Sequence, residues 1–173
     1  MIPPTASNYR LRPLTADDNA ALQRFRCAGG GPWAFAVERY IRTVLERELV
    51  GGHVRATGLW NGNFLAAVIV FTMEPAMPAL CRCHYLAVAA SCRRQGCGER
   101  LKTWLLDEAW KDGRTAVLSR VHRDNIAMLS LNDKLGAHIL DPEDDDHRPC
   151  IIDHESYESR DWWRYRDDLE DEF

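Results

Sequence analysis

Apolar and polar residues change period several times along this chain, and each change marks an element. Tyr9 to Leu14 alternates and predicts a first strand. Thr15-Ala-Asp-Asp then supplies an N-cap before Ala20, Ala21, Leu22 and Phe25, whose spacing predicts a short helix. Gly29-Gly30-Gly31 breaks the chain as a hinge, and Pro32 suits the first turn of the next helix. Trp33, Val37, Tyr40, Ile41, Val44 and Leu45 recur at helical spacing up to Gly51-Gly52. Val54 to Trp60 and Phe64 to Thr72 are strand-like runs joined by Asn61-Gly62-Asn63, a strong hairpin signal. The second run is apolar on both faces, so it belongs in the middle of its sheet. Two prolines bar Met73 to Pro78 from being helix, and Leu80 to Val88 predicts another strand. A basic glycine-rich loop follows, then a helix over Glu99 to Asp112 with Leu101, Trp104, Leu105 and Ala109 inward. Ala116 to Val121 predicts a strand. Asp124-Asn125 opens a helix that turns Met128, Leu129, Leu131 and Leu135 inward and stops at Gly136. Strand-like Ala137 to Leu140 and Pro149 to Ile152 flank an acidic loop, and Trp162-Trp163 can anchor a tail.

The sum is two helices inserted after a first strand, an antiparallel run, then strand-helix-strand-helix-strand: an α/β chain with a mixed sheet. At 173 residues it suits one domain spanning 1–173, with an acidic C-terminal tail over about 160–173. No apolar run approaches the roughly 20 residues needed to cross a bilayer, and Met-Ile-Pro-Pro-Thr lacks the pattern of a secretory signal, so the expected location is cytoplasmic with no membrane partner. A net charge of −4 makes nucleic acid an unlikely partner. The acidic runs Glu143 to Asp146 and Asp167 to Glu172 read as a solvated loop and tail, or as a field that favours a cationic amine. Without a secretory signal the six cysteines are expected reduced. Cys81 and Cys83 share a strand face and lack the second pair a zinc site needs, so no metal is expected.

Chemistry concentrates in His84 to Gly98, reading His-Tyr-Leu-Ala-Val-Ala-Ala-Ser-Cys-Arg-Arg-Gln-Gly-Cys-Gly. A strand, a basic loop and a helix start place backbone N–H groups and a partial positive charge before a phosphate or pyrophosphate. Gly96 and Gly98 let the main chain come close to such a group, and Arg93 and Arg94 add charge. Cys97, at a helix start beside arginines, is either a thiol of lowered pKa or a packing residue.

Leu86-Ala87-Val88, then Arg93-x-x-Gly96-x-Gly98, then Asn125 and Lys134-Leu135-Gly136 resemble the acetyl-CoA-binding core of the GNAT superfamily of N-acetyltransferases, over about 79–139. The resemblance implies a mostly antiparallel mixed sheet flanked by helices, with a splayed strand pair at the acetyl-CoA site. It implies that acetyl-CoA, as co-substrate, is held by Leu86, Ala87, Val88, Arg93, Arg94, Gln95, Gly96, Cys97, Gly98 and Asn125. Free backbone groups of the strand would pair with the pantetheine arm, the N–H of Val88 would sit by the thioester carbonyl, and Asn125 would bond the arm. Asn132, seven residues and about two turns after Asn125, stands where many members carry a tyrosine that protonates the departing thiolate. An amide donates a hydrogen bond but is no acid at neutral pH, so thiolate stabilised by Asn132 and protonated by water is the expectation.

The general base is expected to be His84, resembling the His-x-Leu-Ala-Val arrangement of arylalkylamine acetyltransferases, with His122 and Glu74 as alternatives. The implied activity is acetyl transfer to a primary amine, on a small molecule or peptide, in a ternary complex. The alternative from another class is an acyl-CoA sensor without turnover. The early helices and final strands are where the acceptor would be chosen, and Glu38, Glu46 and Glu48 suggest a cationic amine. A C-terminal edge strand suggests a possible homodimer.

Overall fold

The computed structural model describes residues 9–27, 32–141 and 146–154. The glycine hinge, Glu143, Trp162-Trp163 and the acidic tail lie outside them. One seven-stranded sheet runs in the order β1-β2-β3-β4-β5-β7-β6. Its strands are β1 (Arg10–Pro13), β2 (Arg55–Asn61), β3 (Phe64–Met73), β4 (Leu80–Val88), β5 (Ala116–His122), β6 (His138–Ile139) and β7 (His147–Asp153). The helices are α1 (Asn19–Arg24), α2 (Pro32–Thr43), α3 (Leu45–Gly51), α4 (Cys97–Lys111) and α5 (Ile126–Lys134). All pairings are antiparallel except β4 with β5. This is the mixed, mostly antiparallel sheet that the sequence predicts. Among the described residues no helix is long and apolar enough to cross a membrane.

The core follows from strand composition. Leu65 to Val70 in β3 are almost wholly buried, as a central strand flanked by two partners and covered on both faces must be. Contacts of single side chains assign the faces. Phe71 meets Trp104 of α4 at 5.8 Å between ring centroids, while Tyr85 meets Tyr40 of α2 at 4.2 Å. Thus α4 covers one face and α2 the other; Lys134 Nζ lies 2.7 Å from Glu99, which ties α5 to the α4 side.

Four elements differ from expectation. The helix over 33–50 is two, α2 and α3, parted at Val44 (φ −118°). The helix after the glycine loop begins at Cys97, not Glu99, because Gly96 already acts as its N-cap. The apolar stripe of α5 is not sealed in a core: Met128, Leu129, Leu131 and Leu135 are half-buried, and its one buried residue is Asn132. The edge strand of the C-terminal part is the two-residue β6, with β7 between it and β5; so short an edge presents little to a second copy.

Candidate active site

β4 and β5 are paired only from Leu80–Cys83 to Ala116–Ser119. Beyond that rung β4 stays with β3 and β5 with β7, so two neighbouring strands part into a fork. A bulge marks the parting: Val70 pairs with Tyr85 and Phe71 with Cys83, leaving His84 as the extra residue. The extra residue resets the alternation of side chains. His84 and Tyr85 therefore both lie on the α2 face, His84 against Thr72 and Tyr85 against Tyr40. The Ala89 N–H bonds the Ala66 carbonyl of β3 at 2.8 Å. Successive N–H groups of a strand point to opposite sides, so that of Val88 faces the gap which β5 vacates.

On one side of the fork lies a cleft of about 590 Å³. Of the residues the sequence marks for the cofactor, Leu86, Ala87, Val88, Arg93, Arg94, Gly96, Cys97, Gly98 and Asn125 line it. Gln95 does not; its side chain accepts from the Tyr9 hydroxyl at 2.9 Å and donates to the Ser91 carbonyl at 3.1 Å, holding the loop together from behind. Arg94 (φ +59°) and Gly96 (φ +78°) take left-handed backbone conformations that turn successive N–H groups inward. The first helical bond of α4 runs from the Arg100 N–H to the Gly96 carbonyl at 3.0 Å, so the N–H groups of Cys97, Gly98 and Glu99 precede the first intrahelical donor. This is a cradle for an anion at the positive end of a 15-residue helix. Arg93 joins the two walls by donating to the Cys27 carbonyl. Asn125 caps α5, its Oδ1 accepting from the Met128 N–H at 3.3 Å.

Cys97 is a packing residue. It is buried, and burial raises its thiol pKa; neighbouring Cys92 adds to the rise and Arg100 only opposes it. The expectation of a lowered pKa fails because desolvation outweighs the helix end and the arginine. The other cysteines are also buried, with Cys81 pushed up to about 12 and Cys150 to about 11.

On the other side of the fork is a second cleft of about 610 Å³, bordered by Glu74, Arg82, His84, Tyr85, Arg120 and His147. His84 Nε2 lies 2.7 Å from Thr72 Oγ1. Burial, and then Arg82, hold the imidazole below its ordinary pKa, with Glu74 and Glu48 pulling the other way. It is therefore neutral near pH 7, as a base must be. Glu74, the carboxylate alternative, is 3.3 Å from Arg82. His122 borders neither cleft; its Nδ1 accepts from the Asp124 N–H at 3.2 Å.

Asn132 also borders neither cleft. It is fully buried, its amide donates to the Met128 carbonyl at 3.0 Å, and its Oδ1 has no partner among the described residues. Asn125 and Asn132 do not present one face because Asn125 is a cap with non-helical backbone (ψ 65°), outside the periodicity that relates them. Sequence reasoning missed Arg82, Tyr85, Arg120 and His147. Their strand alternation was available, but the bulge that brings Tyr85 beside His84 leaves no local signature.

Comparison with known proteins follows this geometry. The model of the acetyltransferase (GNAT) family matches residues 19–137. Among curated proteins none matches in sequence. Among solved structures, the PaiA N-acetyltransferase from Thermoplasma acidophilum in complex with coenzyme A superposes with TM-score 0.70 at 16% identity, over 84% of this chain and 99% of that one. AtaTR bound with acetyl-CoA gives TM-score 0.70 at 18% identity, over 86% and 95%. AtaT complexed with acetyl-methionyl-tRNAfMet gives TM-score 0.68 at 18% identity, over 87% and 97%. At these identities the likeness is one of fold.

Proposed function

Because the chain belongs to the GNAT family of acetyltransferases, with acetyl-CoA as co-substrate, we propose that it acetylates a primary amine by direct attack within a ternary complex, with His84 as the base. One observation carries this reading. The fork between β4 and β5 has an anion cradle on one side and a half-buried histidine, held below its ordinary pKa, on the other.

The residues fit the group they would hold. The inward N–H groups around Arg94 and Gly96, with those at the start of α4, would bind the pyrophosphate. The β5-facing edge of Leu86 to Val88 would accept the pantetheine arm in place of a strand. An ideal Cβ on Gly98 would lie 3.5 Å from Val88 and 3.8 Å from Leu131, both cleft residues, so glycine there keeps the passage open. Acetyl-CoA supplies the activated acyl group. His84, held through its Nε2 by Thr72, would take the proton from the acceptor's ammonium on its other ring nitrogen, Nδ1, freeing the amine's lone pair. The Val88 N–H would donate to the carbonyl oxygen as charge gathers there. With the Asn132 amide bonded to Met128, the thiolate would take its proton from water.

The acceptor is a small-molecule or peptide amine in this reading. The likeness to AtaT, solved with acetyl-methionyl-tRNAfMet, adds aminoacyl-tRNA to the amines worth testing. The test is release of the CoA thiol from acetyl-CoA across an amine panel, by wild type and H84A. Amine-dependent release that H84A lowers at least about a hundredfold supports the reading. Tight binding of acetyl-CoA with no release for any amine would make the protein an acyl-CoA sensor instead.

A further inference from the structure

Among the described residues Lys102 is the only buried cation. Its amino group donates to the Ser119 hydroxyl and, among those residues, meets no carboxylate. Its charge reaches Cys81 on β4 and Cys150 on β7, the groups whose ionised forms it favours. A buried charge without an opposite charge is unfavourable for the fold. The mechanism above leaves this one unused.

Its place is the closed end of the fork. Ser119 and Cys83 form the last rung that joins β5 to β4. Ser119 faces α4, since Lys102 reaches it from there. Cys83 shares that face, because its register partner Phe71 meets Trp104 of α4. Along α4, Lys102 follows Gly98 by four residues, about one turn and 6 Å, so the two lie on one face of the helix. Gly98 borders the cofactor cleft beside Val88 and Leu131. One turn inward from a residue that lines the cleft, the helix thus sets a charge beneath the rung where the fork begins.

A leaving group without an acid needs such a charge. A thiol has an ordinary pKa of about 8.5, so near pH 7 its expulsion as thiolate is uphill unless a positive charge stabilises the anion. The Asn132 amide, bonded to Met128, supplies no proton. Away from solvent a charge acts over about 10 Å with little screening. We infer that Lys102 is the counter-charge of the fork, stabilising the thiolate of the departing CoA from beneath the sheet; this rests on the acetyl-transfer reading above. Lys102 touches no reacting atom and acts through its field. The step balances: the ammonium gives one proton to His84, the freed nitrogen forms the N–C bond, the C–S bond breaks, and the released thiolate takes a proton from water.

The first readout needs no acceptor. Calorimetry measures the affinity of CoA and of desulfo-CoA, which lacks the sulfur, from about pH 6.5 to about pH 9.5. A site that favours the thiolate makes CoA gain on desulfo-CoA as pH rises through this window, by about tenfold. Around Lys102 stand Cys81 and Cys83 on β4, Ser119 on β5 and Cys150 on β7, with Asp112, Arg114 and Arg148 acting on these thiols from farther out. Cys81 at about 12 and Cys150 at about 11 titrate above the window. Desulfo-CoA cancels whatever does not act through the sulfur. Lys102→Met should flatten the gain and lower kcat at least about tenfold, with KM for acetyl-CoA within about threefold. Lys102→Arg should keep part of both. A gain that is flat in wild type overturns the inference whatever the variants do. So does a gain, or a kcat, that Lys102→Met leaves unchanged. A gain lost in Lys102→Met with no amine-dependent release removes the acetyl-transfer reading but keeps the charge at the thiol. Failure of both ligands to bind removes both.

Discussion

Thr72 Oγ1 lies 2.7 Å from His84 Nε2, a contact between β3 and β4 at the very rung where their pairing slips. The bulge frees His84 from the strand's alternation, and the threonine fixes where its imidazole points. His84→Ala should lower kcat/KM at least about a hundredfold, as expected for loss of a general base. Thr72→Val keeps the volume and removes the hydrogen bond, so it should cost less, about tenfold. Steady-state kinetics with saturating acetyl-CoA and varied acceptor decides; Thr72→Val without effect would leave His84 positioned by packing alone.

The same burial fixes a pH dependence. Desolvation, followed by Arg82, holds the His84 pKa below its ordinary value of 6.5. The acidic limb of the rate profile should therefore fall below pH 6.5, and Arg82→Gln should move it upward. Stability follows with a definite sign. The unfolded chain binds this proton at a higher pH than the folded one, so its contribution is complete above pH 6.5. It declines as pH drops through 6.5 and levels off below the folded pKa. Urea titrations at pH 7.5 and 5.5 should show a smaller acid loss for His84→Gln than for wild type.

Gly96 and Gly98 stand two apart but predict opposite outcomes. Gly96 has φ +78°, where a side chain is strained, so Gly96→Ala should destabilise the fold by about 1 kcal/mol or more. Gly98 has room for a Cβ at ordinary contact distance from Val88 and Leu131, so the fold tolerates one. The larger Gly98→Val would fill the cleft that those residues border. It should raise KM for acetyl-CoA about tenfold or more, with little change in melting temperature.

How far these sites were legible in the sequence depends on the range of the cause. Glycine spacing and the Leu-Ala-Val strand are local, and they lead directly to the anion cradle. The Asn-Gly hairpin and the doubly apolar β3 likewise give the centre of the sheet. What was hidden depends on partners far along the chain. Gln95 turns away because Tyr9 is there to meet it, and Arg93 turns to Cys27 across 66 positions. The bulge at His84 is a relation between two strands, so no single-strand period predicts it. The acidic count says little by itself for a related reason: Glu38 serves Cys27 and Arg42 inside the fold, so its charge alone assigns it to no substrate.

Asn132 has one amide hydrogen bond to Met128 and a buried Oδ1 without a partner among the described residues. An unsatisfied buried oxygen costs about 1–3 kcal/mol. Asn132→Leu removes it at similar volume and should hold or raise stability in urea titrations. Turnover should stay within about threefold if water protonates the thiolate, on the rate scale of less than 1 kcal/mol. A loss of a hundredfold with the fold intact would return Asn132 to the chemistry.

Lys102 is a lysine in the core, 1% exposed on the inward face of α4 among Leu101, Leu105 and Ala109. Its amino group donates to Ser119 Oγ, and Cys81 and Cys150 are the neighbouring groups that feel its charge. Burying a nitrogen that must keep a polar partner is less favourable than filling the space with carbon. Lys102→Met should therefore be neutral or stabilising, by up to a few kcal/mol on the scale of other buried charged groups. Ser119→Ala alone should destabilise by about 1–3 kcal/mol, because it leaves the amino group buried without its acceptor. The double variant separates the two effects. If the loss belongs to the stranded nitrogen, combining Lys102→Met with Ser119→Ala should recover most of it in urea titrations. If the hydroxyl itself supports β5, the double variant stays as weak as Ser119→Ala.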